Sequence, residues 1–313
     1  MARARAQAEV HRRLTAFENT ATPQEFSDLL RQETRGIGSA FGAALRGSVV
    51  AQDLALFDRL EQFQPVEMGD GATLYRGAAA TQGRGLLVAL TGRMQRLSLP
   101  TPIFLQRVPA AEWDVLMLRD PLTMHFRLGS PGFADSLPGL AQRVKDMARS
   151  YRRTLLFGNS MGGLPAVQIA LMAGDLRAVS VGAQPQSDIM RLFRVATCPP
   201  AYDPVCACLS PRRRDLMFYH AEGHADDSTL AGVLACKTGG VAVPVPGTSR
   251  HSTISELWQD GRLGAFMAAV LAGKPFTADF CAELLATGPA RRITPGSAQR
   301  DSVIRRILRA LRR

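Results

Sequence analysis

The feature that most constrains this chain is the run Thr154-Leu155-Leu156-Phe157-Gly158-Asn159-Ser160-Met161-Gly162-Gly163. Apolar residues lead directly into Gly-x-Ser-x-Gly, and residues 164–173 (LPAVQIALMA) then read as a helix. A chain that passes from a buried strand into a helix within so few residues needs flanks without side chains, and Gly158 and Gly162 supply them. An ordinary strand–helix turn with a capping serine has no need of glycine on both sides. A serine hydroxyl becomes a nucleophile only when held in fixed geometry beside a base. Ser160, at this bend, is therefore the candidate nucleophile.

The surrounding texture agrees. From residue 72 onward apolar runs alternate with helical patterns. Strands are expected at 72–76, 86–90, 115–118, 154–157, 178–181, 216–220 and 241–245, with helices at 137–149 and 253–271 between or after them. Buried strands separated by helices imply an α/β fold with a mostly parallel sheet covered on both faces. Reactive groups in such sheets gather beyond the carboxyl ends of the strands, where Ser160 sits. Upstream, residues 3–18 and 23–34 read as helices, the second with Thr22 as cap, Pro23 in the first turn and Glu25 behind it. Residues 49–63 also carry apolar positions at helical spacing. Gly36, Gly38 and Gly42 miss the dinucleotide fingerprint by one residue and follow no strand. The chain thus divides into an N-terminal helical appendage (1–65), a sheet domain (66–285) with a Pro-rich insertion at 183–214, and a basic tail (286–313).

The base should follow the last strand. His251 does, in Thr248-Ser249-Arg250-His251-Ser252 just before a helix. His125, His220 and His224 lie near other strand ends and are weaker candidates. The acid should follow the preceding strand, where Glu222-Gly223-His224-Ala225-Asp226-Asp227 offers two aspartates. One of Asp226 and Asp227 orients the imidazole while the other caps the following helix; the sequence leaves the choice open, with Asp188 as a further alternative. Donors for a developing oxyanion are expected from the Met161 N–H and from Gly92, in the Thr91-Gly92-Arg93 loop after the strand at 86–90.

The glycine loop, the Gly158–Gly162 motif, the late acidic loop and the final histidine, in that order, resemble the α/β-hydrolase superfamily over residues 72–271, about two thirds of the chain. The loop at 91–93 departs from the His-Gly-Gly signature of many lipases. The resemblance implies an α/β-hydrolase fold and a serine hydrolase of esterase or deacylase type, with Ser160, His251 and an aspartate as triad and neither metal nor organic cofactor. Transfer of the acyl group to an alcohol fits equally well. An insertion at 183–214 would, in this superfamily, roof the site as a lid. The stretches LRDPLTMHFRLGSPGFADSL and RHSTISELWQDGRLGAFM further resemble bacterial hydrolase-like proteins linked to surface-polysaccharide production, which implies a glycan or acylated-glycan ester as substrate. The rival reading is a silent hydrolase-like scaffold in a membrane-associated assembly; the full Ser, Asp, His set argues against it.

Charge bears on partners. Of the net +11, residues 291–313 carry +7, from eight arginines against Asp301. The basicity belongs to the tail and not to a body that grips nucleic acid. Val303, Ile304, Ile307, Leu308 and Leu311 line one face of residues 302–313 and arginines the other, which suits peripheral contact with an anionic membrane. No apolar run approaches bilayer length and the N-terminus lacks the apolar core of an export signal, so a cytoplasmic protein is expected, held at most at the inner membrane face. The five cysteines then read as thiols. Cys198, Cys206 and Cys208 lack the paired spacing of a zinc site, and Cys236 and Cys281 read as buried small hydrophobes.

Overall fold

A computed structural model describes residues 2–35, 40–77, 83–174, 176–184 and 215–277. Eight strands form one sheet: β1 (Phe63–Gly69), β2 (Ala72–Gly77), β3 (Gly85–Leu90), β4 (Trp113–Leu118), β5 (Arg153–Asn159), β6 (Arg177–Val181), β7 (Leu216–Ala221) and β8 (Val241–Val245). Their order is β1-β2-β4-β3-β5-β6-β7-β8. β2 runs antiparallel to both β1 and β4, and every pairing from β4 through β8 is parallel. This is the α/β-hydrolase fold. It brings the carboxyl ends of β3 and β5 side by side, with Leu90 opposite Gly158.

Side chains alternate between two cores, as the period of a strand requires. Leu86, Val88, Leu90, Leu156 and Phe218 face one side, where α6 (Leu137–Ala148), α7 (Gly163–Ala173) and α8 (Ala225–Thr238) cover them. Leu87, Ala89, Val115, Phe157, Val179 and Tyr219 face the other, under α9 (Thr253–Gln259) and α10 (Leu263–Ala272). The N-terminal helices join this second core. They are α1 (Ala2–Glu18), α2 (Pro23–Arg35), α3 (Ala40–Arg46) and α4 (Val49–Leu54). Phe26, Leu45, Val50 and Leu54 are buried in the same cluster as the sheet. At about 1.5–3 kcal/mol per buried side chain, these four contribute an amount comparable to the whole stability of a domain. The helical region is thus one layer of the sheet domain and not an independent attachment. Its second helix starts as its sequence implies: the Glu25 N–H donates to Thr22 Oγ1 (3.1 Å) and the Thr22 N–H to Glu25 Oε2 (2.8 Å).

Several elements, among them α3 and β1, differ from the sequence expectation. The helix expected at 49–63 stops at Leu54, and Phe63 opens β1, an edge strand whose pairing with β2 supplies the backbone partners a helix would have given. Pro65 is tolerated there because an edge strand can spare a donor. The helix expected at 253–271 is two, α9 and α10, broken at Gly261, whose φ of +75° ends the first in the left-handed region. A short helix, α5 (Thr101–Leu105), was not anticipated. Cys236, expected to be buried, is exposed on α8, because the core stripe of that helix runs through Asp227, Ala231, Leu234 and Thr238. The insertion's cysteines, Asp188, Cys281 and the amphipathic segment 302–313 lie outside the described residues. Among the described residues no helix is long and apolar enough to cross a membrane, and no three His, Cys, Asp or Glu side chains converge as metal ligands.

Candidate active site

Ser160 follows the last residue of β5 and opens a single 3-10 turn that leads into α7. Its φ is +52°, in the left-handed region that a non-glycine residue enters at a cost of about 1–2 kcal/mol. The glycines around it are sterically obligatory. A Cβ on Gly158 would collide with the Gly162 carbonyl, and one on Gly162 with the backbone of Leu90 and Thr91. Packing of β5, α7 and the end of β3 therefore holds the serine in its strained conformation.

The Ser160 Oγ lies 3.0 Å from His251 Nε2. On the far side of the ring, Nδ1 is 3.0 Å from each carboxylate oxygen of Asp227. A carboxylate can only accept, so Nδ1 carries the ring proton and Nε2 is left as acceptor for the serine hydroxyl. Asp227 is almost fully buried, and His251 is one third exposed. Gly182, just past β6, fits beneath this pair with a φ of +54°. A Cβ there would stand 3.1 Å from the His251 carbonyl and 3.3 Å from Asp227 Oδ2.

The loop carrying His251 is fixed by Glu256 on α9. Its Oε2 accepts the Ser249 and Arg250 N–H groups, each at 2.9 Å, and its Oε1 accepts Arg250 Nε at 2.9 Å. Burial pushes the Glu256 carboxyl upward, but these hydrogen bonds outweigh it and hold the group below the usual carboxylate range. Gln184 borders the site: its N–H donates to the Ser160 carbonyl at 3.3 Å, and its Nε2 lies 3.4 Å from His251 Nε2.

The structure brings together Ser160, Asp227 and His251, with Met161 next in the turn. It separates the others. Asp226 is exposed in the first turn of α8 and points no hydrogen bond at His251. Nor does it cap that helix; His224 does. Gly92 approaches the serine, since a Cβ on it would lie 3.7 Å from Ser160 Cβ, but its N–H is spent on the Arg96 carbonyl at 3.0 Å. That closes the turn at 92–96 on itself and removes Gly92 from the oxyanion donors. His220 is buried with Nδ1 near the Ala221 carbonyl. His125 is buried with neither ring nitrogen hydrogen-bonded, and burial with the nearby Arg127 and Arg93 charges lowers it to about 4.

Gly182, Gln184 and Glu256 were missed from the sequence, and His224 was weighed there as a base and not as a cap. A glycine directly after a buried strand was the one available signal for Gly182; the others depend on contacts between distant segments. Clefts of about 440, 710 and 300 Å³ open elsewhere, and none is lined by Ser160, Asp227 or His251.

Comparison with solved structures returns similar folds at low identity. Est1E from Butyrivibrio proteoclasticus is 13% identical, with 67% of this chain and 99% of that one covered and a TM-score of 0.45. LAE6, an α/β-hydrolase enzyme from the metagenome of Lake Arreo, is 15% identical over 78% of this chain and 96% of its own, with a TM-score of 0.40. Dienelactone hydrolase from Anabaena variabilis is 16% identical over 68% and 94%, also with a TM-score of 0.40. No protein-family model matches the chain, and no curated protein does.

Proposed function

We propose that the protein is a serine hydrolase, an esterase or deacylase that works through an acyl-enzyme. The observation that carries this reading is the continuous hydrogen-bonded line from Ser160 Oγ through His251 to Asp227. His251 Nε2 takes the hydroxyl proton as Ser160 Oγ attacks the carbonyl carbon of an ester. Asp227 holds the ring tautomer and stabilises the imidazolium. The N–H of Met161, the residue after Ser160 in the turn, receives the oxyanion. Collapse expels the alkoxide, which takes the proton from His251, and leaves the acyl group on Ser160. Water then repeats the sequence and frees the acid; an acceptor alcohol in its place gives transfer.

Labelling with a fluorophosphonate probe tests the reading. Wild type should label and hydrolyse simple p-nitrophenyl esters, and Ser160→Ala should fold normally and do neither. Equal labelling of both, or of neither, would return the protein to the scaffold reading. The resemblance of residues 118–137 to polysaccharide-associated hydrolase-like proteins makes acylated sugars the first natural esters to try.

A further inference from the structure

The catalytic line leaves one imidazole beside it unused. His224 is the N-cap of α8, and its Nδ1 lies 3.2 Å from the Asp227 N–H, which donates to it. The same Nδ1 lies 3.3 Å from Asp227 Oδ1. The His224 and His251 rings are 6.0 Å apart between centroids. Asp227 is thus flanked by two histidines, and one of its oxygens faces both.

The two protonation states of His224 make opposite demands on Asp227. With its proton on Nε2, the neutral ring offers the Nδ1 lone pair to the Asp227 amide. That satisfies a donor every helix leaves open in its first turn. The helix end is then fixed, and both Asp227 oxygens remain with His251 at 3.0 Å. With a proton on Nδ1, the cap is lost and a positive charge stands at a helix N-terminus, where it is disfavoured. The new N–H then faces Oδ1 and competes with His251 for it.

We propose that His224 is the positioning residue for Asp227, and that its protonation is a second ionisation that switches off Ser160. This rests on the proposed hydrolase reading. Among the described residues, Asp227 and His251 lie against His224, with Glu222 and Asp226 on its own segment and Arg250 next to His251 in the loop after β8. Glu222 is held by the Gly247 N–H at 2.8 Å, and Arg250 by Glu256 and Gln259.

The test needs no natural substrate. The rate of fluorophosphonate labelling at Ser160 is measured from pH 4.5 to 9 for wild type, His224→Asn and His224→Ala, with urea melts to confirm folding. Asparagine keeps a capping acceptor and does not titrate. His224→Asn should label within about twofold of wild type at pH 8, and its acid limb should fall with one proton where wild type falls with two. His224→Ala should label about tenfold more slowly at pH 8 with unchanged probe affinity, as expected for a displaced supporting group. Wild-type rates in both variants at every pH would overturn the proposal, as would equal losses in Asn and Ala. Either outcome leaves the hydrolase reading intact if wild type labels and Ser160→Ala does not. An unlabelled wild type sinks both.

Discussion

Replacing Asp227 with asparagine isolates the electrostatic part of the site, because the side chain keeps its size and loses its charge. In the proposed reaction His251 becomes cationic, with Nδ1 3.0 Å from both carboxylate oxygens. At that distance, in an effective dielectric of about 20, a unit charge pair is worth about 5.5 kcal/mol. His251 is one third exposed, and screening by solvent reduces this to about 3–4 kcal/mol. Asparagine adds a second loss. Its NH2 can donate to Nδ1, which moves the ring proton to Nε2 and leaves the serine hydroxyl facing a donor. Together these should slow labelling of Ser160 by about 10³–10⁴, at 1.4 kcal/mol per tenfold. The stopped-time labelling assay at pH 8 reads this directly, and a urea melt shows whether the variant is folded. Asp226→Asn is the matched control and should stay within about twofold, as an exposed residue of the helix's first turn. The reasoning fails if Asp227→Asn labels within tenfold of wild type, or if Asp226→Asn loses as much.

Gly162→Ala should be destabilised by about 3 kcal/mol, the upper end for overpacking, since its Cβ would press on the backbone of Leu90 and Thr91, which cannot rotate away. A urea melt within 0.5 kcal/mol of wild type, on the order of an ordinary surface change, would contradict the steric account. His125 gives a pH prediction. Its folded-state value, about 4, lies below the ordinary 6.5, so the unfolded chain binds the proton more readily in that window. Stability present above pH 6.5 should therefore be lost as the pH falls toward 4, by up to about 3 kcal/mol. His125→Asn, which tolerates the φ of +53° at this position, should flatten that slope in urea melts; an unchanged slope would rule His125 out as its source.

The serine's setting was legible from sequence because it is a local matter. Four residues of turn cannot accommodate side chains at Gly158 and Gly162, whatever else the protein does, and that sterics shows in the letters. The parallel strands were legible for the same reason: an apolar run buried on both faces has no polar face to hide. β1 was not, since an edge strand is half exposed and its residues can pass for a helix. The choice between Asp226 and Asp227 was also beyond the sequence. Adjacent residues on a helix point about 100° apart. Only the packing of α8 against β7 and the His251 loop decides which one faces the imidazole. Gly92 shows the converse limit, for its approach to Ser160 was readable but the fate of its N–H depended on how the loop closed. Sequence alone thus marked Ser160 as the candidate nucleophile, its bend and the order of the groups proposed to serve it. Tertiary structure decided which aspartate faces His251, that His224 caps the helix beside it and where the N-terminal helices pack, because those depend on contacts between segments whose relative rotation no local pattern records.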